Sequence, residues 1–298
     1  MTAENVEQAY RHCLHIARSH YENFPVASRL LPARLRRPVA AIYAFARAAD
    51  DLADEGTAAP ADRLAALEAF GRRLDAAAAG RPDEDPVFVA LADIIAHCAL
   101  PVAPLHDLLH AFSSDVTTHR YESFEAVLGY CRYSANPIGR LLLHLDGAAT
   151  EENLTLSDDV CSALQLINFL QDIAQDYDEN GRIYLPQDEM REYGVHESDI
   201  AQRRSTPAMR ALVNAQIRRA SALLCRGAPL AGRLHGRLGW ELRLIVLGGQ
   251  RILQRLYASG ADVFARPRLG AGDWAWMLWR ALRRGTPPAL PSASRRGD

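Results

Sequence analysis

Two stretches of this chain, 122 residues apart (172 − 50), carry the same polar pattern inside otherwise apolar helical sequence. Tyr43, Arg47, Asp50 and Asp54 fall at offsets 0, 4, 7 and 11; Gln165, Asn168, Asp172 and Asp176 fall at 0, 3, 7 and 11. At about 3.6 residues per turn these offsets return to one helix face. Each stretch is therefore a helix with a polar stripe, and Ile42, Phe45, Ile167, Phe169 and Leu170 take the other faces. Each stripe ends in an aspartate pair at i, i+4, where like charges weaken a helix by roughly 0.2–0.5 kcal/mol. A positive ion between the pairs would offset that cost. Hard divalent cations take oxygen ligands, and magnesium commonly uses one or two carboxylates together with substrate phosphates. The pattern points to a magnesium–diphosphate site between two facing helices.

The alternative is a pair of solvated helix ends. Asp50, Asp51, Asp54 and Glu55 precede Gly56–Pro60, and Asp172, Asp176, Asp178 and Glu179 precede the Asn180-Gly181 turn. That alternative leaves the matched spacing unexplained, and with it the amides Gln165 and Asn168 inside an apolar run. An unpartnered buried amide costs about 1–3 kcal/mol, so both call for a polar ligand or a wet cavity.

Elsewhere helical periodicity dominates and alternating strands are absent. Helices are expected near 3–20, 36–54, 61–78, 86–98, 103–113, 123–131, 136–146, 157–177, 208–225, 229–258 and 272–283. Glycine and proline breakers fall between them, at Pro32, Pro101, Gly147, Gly181 and Pro267 among others. No linker demands a domain boundary, so one all-α domain over residues 1–284 is expected, followed by a disordered tail at 285–298. A chain of 298 residues can bury a sizeable core. A net charge of −2 supplies no field for nucleic acid. All 34 basic residues are arginine, which fits genomic composition better than function. Five cysteines without metal-type spacing suit a reduced cytoplasmic protein. The start shows no signal peptide, and no run approaches the roughly 20 apolar residues of a membrane span.

Other residues could carry chemistry. The Asn180-Gly181 turn would return Arg182 and Tyr184 toward the carboxylate end of the second helix, where an arginine can clamp diphosphate bidentately. A surface arginine after a loop is the plainer alternative. Ser134, Asn136, Pro137 and Gly139 break the helix after Tyr130-Cys131-Arg132, as a ligand-lining kink or a simple joint. His20 to Pro25, with Phe24, could form a flap. Trp274, Trp276 and Trp279, followed by Arg280, Arg283 and Arg284, suit either an interfacial helix on anionic lipid or a terminal helix packed on the body.

With these stripes in place the chain resembles the squalene/phytoene synthase family over roughly residues 8–270. The resemblance rests on Tyr43 through Asp54, on Gln165 through Asp176, and on Gly181-Arg182-Ile183-Tyr184-Leu185-Pro186. It implies an isoprenoid synthase fold, a helical bundle around a central cavity. It also implies two or three magnesium ions joining a prenyl diphosphate to Asp50, Asp54, Asp172 and Asp176, with Asn168 beside them. By the same resemblance Arg47 and Arg182 contact phosphate, Gln165 lines the polar edge, and Tyr130 faces the reacting carbons. Tyr184, Phe24 and Tyr257 would contact substrate, Tyr257 on the weakest match. Many members read Tyr-Cys-Tyr-x-Val-Ala-Gly where this chain reads Tyr130 to Asn136, replacing an aromatic and a small residue by Arg132 and Asn136.

That variant, with His20 to Ser28, is similar to the bacterial hydroxysqualene synthases of the hopanoid pathway. These expel diphosphate from presqualene diphosphate and quench the rearranged cation with water. No NADPH is expected, and no GxGxxG follows a strand. Functional coupling to other enzymes of the same isoprenoid pathway is expected, with a cytoplasmic location and the Trp274–Trp279 helix as a candidate for peripheral contact on the inner membrane face. Aromatic faces such as Tyr130, Tyr43 or Phe24 could each stabilise a cation by about 0.5–2 kcal/mol. Arg132 and Asn136 are expected to hold the quenching water. The rivals are a presqualene diphosphate or phytoene-type synthase condensing two prenyl diphosphates, and a non-catalytic helical adaptor with a metal-binding face.

Overall fold

The computed structural model describes residues 2–19 and 31–282. Among the described residues every regular element is helical, and extended pairing is confined to one isolated bridge between Arg120 and Ile183. The all-α expectation is met. Also among them, no helix is long and apolar enough to cross a membrane. The expected flap with Phe24, the tail at 285–298, Arg283 and Arg284 lie outside the described residues.

The chain packs as two compact units. The first takes residues from 1–118 and 132–154. It holds α1 (Ala3–Ser19), α2 (Ala33–Asp54), α3 (Pro60–Ala78), α4 (Pro86–Cys98) and α5 (Ala103–Asp115). After α6 (Phe124–Ser134), which ends in this unit, it also holds α7 (Asn136–Asp146). Proline stands at the first or second position of α3, α4, α5 and α7, where its preset φ suits the helix and its missing N–H removes no bond. Phe45, Phe70 and Phe88 meet at centroid distances of 5.2, 6.3 and 4.8 Å in the middle of the core, contacts worth about 0.5–1.5 kcal/mol each beyond burial. Burying Phe45 and Ala49 turns the opposite face of α2, with Tyr43, Arg47, Asp50 and Asp54, toward its half-exposed side.

The second unit takes residues 119–131 and those from 155 onward. Its spine is α8 (Glu151–Asn180), followed by α9 (Gln187–Tyr193), α10 (Glu197–Ala201), α11 (Pro207–Gly227), α12 (Leu230–Arg233), α13 (Gly236–Ala258), a 3-10 turn at Val263–Ala265 and α14 (Ala271–Leu282). Helices α8 and α11 touch at Gly227. A Cβ there would lie 2.6 Å from both the Leu156 carbonyl oxygen and Val160 Cγ2. Buried Glu189 of α9 accepts from Gln216 Nε2 at 2.6 Å and pairs with Arg219, tying α9 to α11.

Two boundaries and two short helices depart most from expectation. Helix α8 starts at Glu151, not 157, because Thr150 Oγ1 accepts from the Asn153 N–H at 3.3 Å and Glu151 and Glu152 favour the N-terminal dipole. The helix expected over 229–258 breaks at Leu234–His235, both extended, before Gly236 at φ +60. Helices α9 and α10 were not foreseen. Both are short, and α10 depends on a local cap in which Asp199 accepts from the His196 N–H at 2.9 Å.

Candidate active site

In the second unit α8 carries Gln165, Asn168, Asp172 and Asp176 half-buried along one stripe, while Leu166, Ile167, Leu170 and Ile173 are buried beside them. Burial pushes the Asp176 carboxyl up to about 7, helped by the charges of Asp172 and Glu179 and opposed by Arg182 and Arg266. Two carboxylates thus crowd a poorly solvated spot and repel each other. The Arg266 guanidinium stands 2.6 Å from Asp172 Oδ1, close enough to pair with it though not aligned as a hydrogen bond. Gln171 Nε2 donates to the Pro267 carbonyl at 2.8 Å and so holds the loop that presents Arg266, whose own φ is +42.

The end of α8 folds as the Asn180-Gly181 pair suggests. Gly181 sits at φ +62 and donates to the Tyr177 carbonyl at 3.0 Å; Arg182 N–H donates to the Asp176 carbonyl at 3.0 Å. The positive φ is what glycine permits cheaply. The turn buries Arg182 and returns it, with Tyr184, to the carboxylate end of the helix. There Phe169, Ile173, Asp176, Arg182, Tyr184 and Gln216 surround a cavity of about 20 Å³, room for about one water. Phe169 and Tyr184 stack with centroids 3.7 Å apart and planes 5° apart. Tyr130 lies 5.6 Å from Tyr184 and Tyr121 5.5 Å from it, so four rings adjoin the acidic end.

In the first unit the stripe on α2 is more heavily charged than its spacing suggests. Arg47 lies 2.6 Å from Asp51, 2.8 Å from Glu55 and 3.4 Å from Asp50. Burial alone would lower its pKa, but Asp51, Asp50 and Glu55 together raise it. Asp51 and Glu55, read from sequence only as helix-end acids, therefore hold the guanidinium. Tyr43 packs at the edge of the core and Asp54 is half-buried at the end of α2.

The pair expected to hold water is divided by its surroundings. Arg132 is exposed near the end of α6, 6.0 Å from the Tyr133 ring, while Asn136 is buried at the first position of α7 beyond the break at Ala135. The two side chains therefore meet different surroundings, Arg132 open to solvent and Asn136 enclosed. Tyr257 is half-buried near the end of α13 and does not line the cavity at Asp176. Tyr121, Phe169 and Arg266 were missed as candidates. The aromatic content around 121 and 169 was visible, but nothing local links residue 266 to residue 172.

Among the described residues no three histidine, cysteine or acidic side chains converge as a metal cage. Each stripe instead offers two carboxylates at i, i+4, the donor set that suits magnesium held jointly with a phosphate. The mutual repulsion recorded at Asp176 is what a bound cation would relieve.

A family model described as squalene/phytoene synthase matches residues 17–274. The chain is 38% identical over 236 residues to a hydroxysqualene synthase from Rhodopseudomonas palustris, covering 79% of each. It is also 38% identical over 239 residues to one from Zymomonas mobilis, covering 79% of this chain and 77% of that one. Among solved structures, squalene synthase HpnC from Alicyclobacillus acidocaldarius superposes with a TM-score of 0.81 at 39% identity, over 87% of this chain and 97% of that one.

Proposed function

Because the chain belongs to the squalene/phytoene synthase family, we propose that it is a hydroxysqualene synthase, converting presqualene diphosphate to hydroxysqualene and diphosphate. The observation that carries this beyond family membership is the second unit's site. A repelling carboxylate pair and a buried arginine stand beside a cluster of stacked aromatic rings. That is the chemistry needed to release an anionic leaving group beside a carbocation.

In this proposal Asp172 and Asp176, with Asn168, and Asp50 with Asp54 are the magnesium ligands. Bound magnesium would supply Lewis-acid neutralisation of the departing diphosphate. Arg182 and Arg47 pair with phosphate oxygens once released from their present carboxylate neighbours, and Gln165 hydrogen-bonds at the polar edge. The C–O bond breaks with its electron pair leaving on diphosphate, and Tyr130, Tyr184 and Phe169 present ring faces to the rearranging cation. Apolar side chains limit water to what the site admits. One water adds its oxygen to the cation and loses a proton, with the Asn136 amide orienting it. Substitution Asn136→Gly should divert product away from hydroxysqualene; an unchanged product profile removes Asn136 from that role.

The test is product analysis of the purified protein with magnesium and no nicotinamide, given presqualene diphosphate and farnesyl diphosphate in separate reactions. Hydroxysqualene from presqualene diphosphate alone is expected. Presqualene diphosphate or a coupled hydrocarbon from farnesyl diphosphate would instead make the protein a condensing synthase.

A further inference from the structure

Five large apolar side chains are exposed among the described residues, and four of them share one short helix. Trp274, Leu278, Trp279 and Leu282 stand 50%, 51%, 46% and 69% exposed on α14. At about 100° per residue they fall within an arc of roughly 140°. The other side of α14 is already used: Asp273, Met277 and Ala281 are buried, and Met277 and Ala281 pack with Leu244 and Leu247 of α13. The exposed arc is thus not the face that folds the protein. The fifth residue, Trp240, continues it. Arg243 of α13 stacks on the Trp240 ring at 5.6 Å and donates to the Ala281 carbonyl at 3.3 Å, which sets Trp240 beside the C-terminal end of α14. Together these side chains present roughly 500 Å² of apolar surface, at the upper end of what a monomer ordinarily exposes.

The segment that builds this face is basic. The described residues 230–282 contain eight arginines and three carboxylates, a net +5 (8 − 3), in a chain whose total is −2, and two of these arginines, Arg243 and Arg280, lie against Trp240 and Trp276. One of the three, Asp273, is buried under Arg251 and Arg255 at 2.6 and 2.5 Å, so α14 shows no outward acid. A protein groove of ordinary composition gains nothing from Arg243 and Arg280 beside the tryptophans. An anionic headgroup layer does, because each nearby arginine is attracted to it while tryptophan sits well at the boundary between headgroup and hydrocarbon.

The geometry points to α14 as a monotopic docking helix that lays Trp274, Leu278, Trp279 and Leu282, with Trp240, into the surface of an anionic lipid bilayer. Docking of this kind needs two contributions, apolar insertion and electrostatic attraction, since either alone binds weakly. Both are present here. The inference rests on the surface of the second unit and not on the reaction proposed above, so either can fail without the other.

Flotation of the purified full-length protein, without metal or substrate, tests it. Vesicles of phosphatidylcholine alone are compared with vesicles containing roughly one third phosphatidylglycerol. Recovery with the anionic vesicles should be at least about tenfold higher at low ionic strength and should collapse as salt rises. Trp274→Ser combined with Trp279→Ser should abolish it at an unchanged thermal midpoint. Brominated lipid should quench the wild-type tryptophan fluorescence, a readout that needs no variant. Equal recovery with both vesicle types, no quenching, or undiminished binding by the double variant each overturns the proposal. So does a concentration-dependent self-association that the double variant removes while vesicles are ignored, which would make the face a protein interface.

Discussion

Asp176→Asn should stabilise the metal-free protein while weakening its response to magnesium. In the folded chain burial and Asp172 push the Asp176 carboxyl from its ordinary 3.8 to about 7. At about 1.4 kcal/mol per pH unit that displacement corresponds to roughly 4 kcal/mol. Arg182 and Arg266 can readjust and the amide must still be accommodated, so a net gain of about 1–3 kcal/mol is expected. The sign follows from proton binding. Between pH 4 and 7 the folded state keeps a proton that the unfolded chain has released, so wild-type stability falls as pH rises through this window and levels off above about 7. The neutral amide has no such fall. The variant's advantage should therefore be full at pH 8 and about a third as large at pH 5. Thermal unfolding in chelator reads this as a midpoint raised by about 2–8 °C at pH 8. Adding magnesium should raise the wild-type midpoint more than the variant's, since the variant has lost a donor. A midpoint lowered by the substitution at pH 8, or an advantage equal at pH 5 and pH 8, would refute the account of Asp176 as a buried and repelled carboxylate.

Three further outcomes follow from the same structure. Gly227→Ala forces a methyl group to within 2.6 Å of the Leu156 carbonyl, so denaturant unfolding should show a loss of about 1–3 kcal/mol as α8 and α11 are pushed apart. Arg266→Gln removes the cation 2.6 Å from Asp172, and the magnesium concentration giving half of the thermal stabilisation should fall by about two- to fivefold; an unchanged midpoint would mean that Arg266 does not compete for that carboxylate. Asp273 is held down to about 2, because hydrogen bonds from Arg251, the Gly270 N–H and Arg255 outweigh the raising effect of burial. A depressed carboxylate contributes stability above pH 3.8 that is lost as pH falls toward 2. With both guanidiniums partly open to water, Asp273→Asn should cost about 1–2 kcal/mol near neutrality, read by calorimetry, and less in acid.

The local features of this protein were set by its sequence. The i, i+4 and i, i+7 spacings put Arg47, Asp50 and Asp54 on one face of α2, and Gln165 through Asp176 on one face of α8, because helical register needs only 3.6-residue geometry. Asn180-Gly181 fixed the turn that returns Arg182, since glycine alone takes its positive φ cheaply. The break between α6 and α7 was visible in Asn136-Pro137 for a similar reason.

What tertiary structure decided is which groups share a dielectric and which charges meet. Arg266 reaches Asp172 across 94 residues (266 − 172) only because Gln171 pins the loop at Pro267. Phe169, by periodicity about 40° around α8 from Gln165 and beside the stripe, stacks on Tyr184 after the turn. Arg132 and Asn136, four residues apart (136 − 132), end in water and in the core respectively, with a helix ending between them. The carboxyl of Asp176 is pushed up to about 7 by burial, a property of packing that no spacing of residues encodes. Helical register propagates along the chain, whereas burial and ion pairing depend on where distant segments come to rest.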